Sequence, residues 1–158
     1  VIERSDIGLF DCDLIGPAGY LPDLSRAYLV GSAKPSSRQQ RLYADAQTCL
    51  AEIISALKPG TAFDEAVERL SRRLPAEYHA QRYLFIVHGS GLADEYPTLL
   101  FDRHHECEIG EGMVFSVEAY VGVEGEDEGL KLEEQVLVTS TGVEILSHAP
   151  HDERLAAD

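Results

Sequence analysis

Apolar residues recur along this chain at two different periods. Over residues 9–14 they alternate with polar ones: Leu9, Asp11 and Asp13 would share one face of a strand, and Phe10, Cys12 and Leu14 the other. Gly16-Pro17-Ala18-Gly19 is a turn signal, and Tyr20 to Val30 reads as the returning strand. Gly31 to Pro35 is a linker. Behind Ser36 and Ser37, the residues Leu42, Ala46, Cys49, Leu50, Ile53, Ile54 and Leu57 recur at helical spacing until Lys58-Pro59-Gly60 ends the run. Thr61 with Asp64 forms a capping pair for a second helix whose apolar face is Phe63, Ala66, Val67 and Leu70. A short third helix follows Pro75. Tyr83 to Val87 is a short apolar strand that runs into His88-Gly89-Ser90-Gly91, where glycines allow close backbone approach. Met113 to Val121 and Leu130 to Thr139 are strands around the acidic loop Gly122 to Gly129, and Val143 to Leu146 is a last short strand. A hairpin, then helices, then strands predicts an α+β fold.

Composition and charge narrow the classes. The 158 residues suit one domain, and 44% apolar with 26% charged residues excludes wholesale disorder. No apolar run approaches the roughly 18 residues of a membrane span, and no signal-peptide pattern is visible. The net charge of -15, from 13 basic and 28 acidic residues, argues against nucleic acid and anionic membranes as partners. Cys12, Cys49 and Cys107 are odd in number and lack C-x-x-C spacing, which argues against a disulfide framework or a structural zinc site. The expectation is a cytoplasmic, reduced protein with all three cysteines as small buried hydrophobes.

Carboxylates stand where strands should be apolar or neutral. Asp11 and Asp23 are symmetric about Pro17, so equal arms would set them opposite each other with Asp13 on the same face. Glu118 and Glu133 are symmetric about the acidic loop and would also face each other; Glu118 sits inside the otherwise buried run Val114-Phe115-Ser116-Val117. Like charges paired across strands are destabilising unless they bear protons or a cation neutralises them. Two readings follow: solvent-exposed hairpin faces carrying surface acids, or a cation site. Five acids and His88 would supply hard oxygens plus one imidazole, a set suited to Fe(II), Mn(II), Co(II) or Zn(II), and two bridged metals would use all of the acids.

The order and context of these residues resemble the peptidase M24 family, the pita-bread fold of methionine aminopeptidase, aminopeptidase P, prolidase and creatinase. The matching pieces are Gly19-Tyr20-Leu21-Pro22-Asp23-Leu24-Ser25-Arg26, His88-Gly89-Ser90-Gly91-Leu92, Gly112-Met113-Val114-Phe115-Ser116-Val117-Glu118 and Leu132-Glu133-Glu134-Gln135-Val136-Leu137-Val138. The resemblance implies a curved, mostly antiparallel sheet with helices on one face. It also implies dinuclear metal ligands at Asp11, Asp23, His88, Glu118 and Glu133. Two departures point to one branch. Peptidase members usually carry a second His seven residues after the ligand His, where this chain has Glu95. Asp13 makes an Asp-x-Asp with Asp11, as in the dimethylsulfoniopropionate lyase branch, in which the extra Asp is also a ligand, the metal is commonly iron, and an Asp six residues after the His is the base. That base maps onto Asp94. Tyr83 and Phe85 fall where that branch places pocket aromatics, although this chain has no Trp where the lyases use one, near Ala80.

On this reading a metal pair binds a substrate carboxylate, Asp94 removes the adjacent proton, and a β-sulfonium leaves as a neutral sulfide, with Tyr83 and Tyr96 facing the cation. A metallo-exopeptidase acting on Xaa-Pro peptides, with Glu118 handling the proton, is the alternative, and a non-catalytic binding module is the second alternative. The implied partner is a small carboxylate or short peptide, in a homodimer. The chain reads as the C-terminal part of one such catalytic domain. The pair His104-His105 is expected in an exposed loop, His79, His148 and His151 have no assigned role, and the run Glu124 to Glu128 is expected as a solvated hairpin tip.

Overall fold

The computed structural model describes residues 1–72, 75–81, 85–93, 95–100 and 107–156. Among these residues, seven strands and two α-helices run in the order β1 (Ile7–Asp13), β2 (Asp23–Leu29), α1 (Ser37–Ala56), α2 (Phe63–Ser71), β3 (Phe85–Gly89), β4 (Thr98–Leu100), β5 (Val114–Gly122), β6 (Gly129–Thr139) and β7 (Gly142–Ile145). Strands β1 and β2 form a two-stranded hairpin. The others form a five-stranded sheet in the order β4-β3-β5-β6-β7, and every pairing is antiparallel among the described residues. The α+β expectation holds. The three-residue strand β4 had no sequence signal, being too short to show a period.

Helix α1 begins where the sequence places it, with a capping box. The Gln39 amide donates to Ser36 Oγ at 3.1 Å, and the Ser36 amide donates to Gln39 Oε1 at 2.9 Å. Leu42, Tyr43, Ala46, Leu50, Ile53 and Ala56 form its buried face, which lies across β5 and β6. Each fully buried aliphatic side chain stabilises the fold by about 1.5–3 kcal/mol. Helix α2 begins at Phe63, two residues after Thr61, which corrects the capping pair read from sequence. The Thr61 carbonyl instead accepts from the Ile109 amide at 2.9 Å, so the bridge to residues 107–109 sets where the helix can start. A 3₁₀ segment, Ala76–Gln81, takes the place of the third helix.

The five-stranded sheet separates its residues by alternation. Phe115, Val117, Ala119 and Val121 of β5, with Leu130, Leu132, Val136 and Val138 of β6, are in the core. The opposite face carries His88, Ser116, Glu118, Lys131, Glu133 and Gln135, as the register pairs Ser116 with His88 and Gln135, and Glu118 with Glu133. Strand β2 packs against β6 and lays the hairpin over this polar face.

A buried ion pair anchors that packing. Arg26 Nη2 donates to both oxygens of Glu134 at 3.0 Å, and Arg26 Nε donates to the Ala149 carbonyl at 3.0 Å. Arg26 also donates to the Ser25 carbonyl at 3.0 Å. Ser147 and His151 complete the shell around Glu134. Burial alone would raise the Glu134 carboxyl, but its partners His151, Ser147 and Arg26 outweigh it and hold it below the usual range. The substitution Arg26→Met is expected to cost about 3 kcal/mol, because it strands a buried carboxylate. In a thermal melt that is a fall of about 6–12 °C for a domain of this size, and a change under about 2 °C would contradict the assignment.

Two surface expectations change. Cys12 and Cys49 are half-buried, but Cys107 is exposed: its carbonyl accepts from the Phe63 amide at 2.9 Å while the side chain faces out. The acidic hairpin tip is not merely solvated. Arg38, at the start of α1, pairs with Glu126 and Glu128, and Gln39 Nε2 donates to Glu128 at 2.6 Å.

Candidate metal centre

Three structural units bring the acids together. The β5–β6 hairpin sets Glu118 opposite Glu133, in the register the sequence symmetry implies. The β1–β2 hairpin sets Asp13 opposite Asp23 and Asp11 opposite Ser25, which corrects the expected Asp11–Asp23 pairing. The turn is the cause: a 3₁₀ turn over Pro17–Gly19, with Ala18 and Gly19 both at positive φ (62° and 78°), centres the hairpin on Ala18. The Gly16 amide donates to the Tyr20 carbonyl at 2.7 Å and the Leu14 amide to the Pro22 carbonyl at 3.2 Å. The register shifts by two residues, an even number, so Asp11, Asp13 and Asp23 still share a face.

The third unit is the loop after β3. Gly89 is required there: a Cβ would lie 2.0 Å from the Tyr96 carbonyl oxygen, so only glycine lets the two backbone segments meet. Ser90 Oγ donates to the Leu21 carbonyl at 2.5 Å and accepts from Gln135 Nε2 at 2.5 Å, and the Leu21 amide donates to the Gly91 carbonyl at 2.8 Å. These bonds tie the hairpin and β6 to the backbone beside His88.

At the centre His88, Glu118, Glu133 and Asp23 are buried. His88 Nε2 is 3.1 Å from Asp23 Oδ2, 3.3 Å from Glu118 Oε1 and 3.9 Å from Glu133 Oε1. Ser25 Oγ lies 2.7 Å from Asp11 Oδ1 and 2.6 Å from Glu133 Oε2. Lys131 Nζ lies 2.8 Å from Asp11 Oδ2, 2.7 Å from Glu118 Oε2 and 3.4 Å from Glu133 Oε2. Sequence reasoning missed both Ser25 and Lys131. Alternation was the available signal, since each stands two residues from an identified acid and therefore on its face.

The donor set fits divalent cations. Asp23, His88 and Glu133 offer ligand atoms within 4.8 Å of one another, and so do Asp11, Asp13 and Asp23. Buried Asp23 Oδ1 and Glu133 Oε1 have no hydrogen-bond donor among the described residues. Hard oxygens with one imidazole suit first-row divalent metals. Of the other sequence-predicted residues, Tyr96 is 69% exposed, with its carbonyl against Gly89. Tyr83, Asp94, His104, His105 and the Phe85 side chain lie outside the described residues.

The electrostatics follow from crowding. Burial works against a charged His88, but hydrogen bonds to Asp23 and Glu118 and the Glu118 charge outweigh it, holding the imidazole up to about 10. Burial, with the charges of Glu118 and Asp23, pushes Glu133 up to about 8. A ligating His must be neutral and a ligating carboxylate deprotonated, so ion uptake displaces these protons. Metal affinity should therefore rise with pH from neutral through about 8, where Glu133 is half deprotonated, and on toward about 10, where the His88 imidazolium gives up its proton. Calorimetry in buffers of different ionisation heat should count between one and two protons released; affinity independent of pH would exclude His88 and Glu133 as ligands.

Comparison with known proteins decides the family. The profile of metallopeptidase family M24 matches residues 1–140. The chain belongs to metallopeptidase family M24. The chain is 38% identical over 160 residues to a dimethylsulfoniopropionate lyase, DddP, of Roseovarius nubinhibens, covering 98% of this chain and 36% of the relative. It is 36% identical over 163 residues to the DddP of Roseobacter denitrificans, again covering 98% and 36%. Among solved structures it resembles the prolidase of Pyrococcus horikoshii, with a TM-score of 0.81 and 26% identity over 95% of this chain and 42% of that one. This M24 chain thus spans little more than a third of the curated lyases it matches. The pita-bread fold implied by the sequence holds, and the family is dinuclear and divalent-metal-dependent. Among the described residues no helix is long and apolar enough to cross a membrane.

Proposed function

We propose that the protein carrying this chain is a dinuclear-metal-dependent lyase that cleaves a C–S bond by β-elimination, converting a β-sulfonium carboxylate such as dimethylsulfoniopropionate into dimethyl sulfide and acrylate. The observation that carries this reading is the third hairpin carboxylate: Asp13 stands opposite Asp23 and offers an oxygen within 4.8 Å of Asp11 and Asp23. The identity to DddP over 98% of the chain supports it.

On this reading Asp11, Asp13, Asp23, His88, Glu118 and Glu133 hold two divalent ions, with iron favoured over manganese, cobalt or zinc. When bound, the ions supply positive charge for the substrate carboxylate and the enolate-like charge that develops on it. Asp94 takes the proton from the carbon next to that carboxylate. The C–H electrons form the new C=C bond, the C–S electrons leave with the sulfide, and the proton ends on Asp94. On the same reading Tyr83 and Tyr96 would face the sulfonium cation, with Tyr83 and Phe85 as pocket aromatics. The chain is the C-terminal portion of one catalytic domain, in a cytoplasmic homodimer.

The fold similarity to prolidase favours a second reading, an Xaa-Pro dipeptidase in which Glu118 handles the proton. The two separate in one experiment. Full-length protein loaded with iron or manganese is given dimethylsulfoniopropionate with headspace detection of sulfide, and in parallel an Xaa-Pro dipeptide. Sulfide without dipeptide cleavage is expected; dipeptide cleavage without sulfide overturns the lyase reading.

A further inference from the structure

Lys131 is the one lysine in contact with the carboxylate group among the described residues, and its side chain is only 9% exposed. It stands on β6 opposite Tyr120, two residues before Glu133 and on the same face. Its ammonium reaches three carboxylates from three strands: Asp11 of β1, Glu118 of β5 and Glu133 of β6. The contacts are sorted by oxygen. Lys131 meets the Oε2 atoms of both glutamates, while the Oε1 atoms lie on the His88 side, 3.3 Å and 3.9 Å from Nε2. Ser25 reinforces the sorting by taking Glu133 Oε2 and Asp11 Oδ1.

We propose that Lys131 is a positioning residue that makes the two metal positions unequal: it turns one oxygen of Glu118 and of Glu133 toward the ion at His88, and it competes with the second ion for Asp11. This rests on the ligand assignment above but not on the lyase activity. The physical reason is charge. The position bounded by Asp23, His88 and Glu133 has glutamate oxygens turned toward it and away from the ammonium. The position bounded by Asp11, Asp13 and Asp23 has two exposed carboxylates and shares Asp11 with a buried positive charge 2.8 Å from its carboxylate, so an ion there meets a close like charge and weaker, water-screened attraction. A hydrogen-bonded partner behind a metal ligand commonly shifts metal affinity by about 10–100-fold.

The test is a metal titration of the full-length protein. Dialysed wild type, Lys131→Met and Lys131→Arg are titrated with Co(II), followed by calorimetry and by the visible absorption of the bound ion, which reports coordination geometry. Wild type is expected to fill in two separate steps with affinities about tenfold or more apart. Lys131→Met keeps the stem length and removes the charge, and is expected to tighten the weaker step about tenfold, so that the two spectra develop together. Lys131→Arg keeps the charge and should preserve separate steps even if its melting temperature falls. Unchanged separation in Lys131→Met, or a weakened second step, overturns the inference. Wild type that binds no Co(II) overturns the ligand assignment with it, whereas two equal steps in wild type overturn only the role of Lys131.

Discussion

Asp23→Asn is expected to strip the centre of metal while leaving the fold intact. Asp23 belongs to both candidate ligand groups, with His88 and Glu133 on one side and with Asp11 and Asp13 on the other. Its Oδ2 meets His88 at 3.1 Å, and its buried Oδ1 has no donor among the described residues. Asparagine has the same shape but removes the charge and directs an NH₂ donor at the cation. The loss should exceed the roughly 10–100-fold of a change behind a ligand, so elemental analysis after dialysis should find the protein depleted of both ions. The metal-free variant should melt somewhat below metal-free wild type, because burial would raise the Asp23 carboxyl but its pairing with His88 holds it below the usual range, and the amide loses that pairing. A variant that retains two ions would remove Asp23 from the ligand set.

The second large effect separates chemistry from metal binding. Asp94 follows His88 by six residues, beyond the Gly89-Ser90-Gly91 turn. Asp94→Asn keeps the shape and removes the basicity, so sulfide release should fall by about 10²–10⁴-fold, the usual contribution of a positioned base. Metal content should stay at the wild-type value, the opposite of Asp23→Asn. Near-normal sulfide release from the variant would mean that another group takes the proton. A variant that loses metal as well would place Asp94 among the ligands.

Much of the fold is legible along the chain because its causes are local. The Ser36–Gln39 capping box starts α1 where the sequence places it, and the run Lys58-Pro59-Gly60 stops it. The β5–β6 register could be read from the symmetric spacing of Glu118 and Glu133, because a regular hairpin preserves equal arms. The same argument missed by two residues of register at β1–β2. Pro17–Gly19 folds as a 3₁₀ turn with Ala18 in the left-handed region, and composition does not reveal that choice. Thr61 failed as a cap because a bridge to residues 107–109, distant in sequence, claims its carbonyl.

The candidate site divides along the same line. Residue types, their alternation and the family motifs are properties of the chain, and they suffice to name His88, Asp23, Glu118 and Glu133. Which oxygen of Glu133 meets Ser25, that Lys131 stands between Asp11 and Glu118, and that Arg26 meets Glu134 all depend on how the β1–β2 hairpin packs against β6. Those contacts join residues a hundred or more positions apart, or residues on different strands. Their energies depend on separation and on exclusion of water, and burial is what raises Glu133 to about 8. Local pattern decides which face of a strand a side chain takes; only the meeting of two faces decides its charge, its partner and its chemistry.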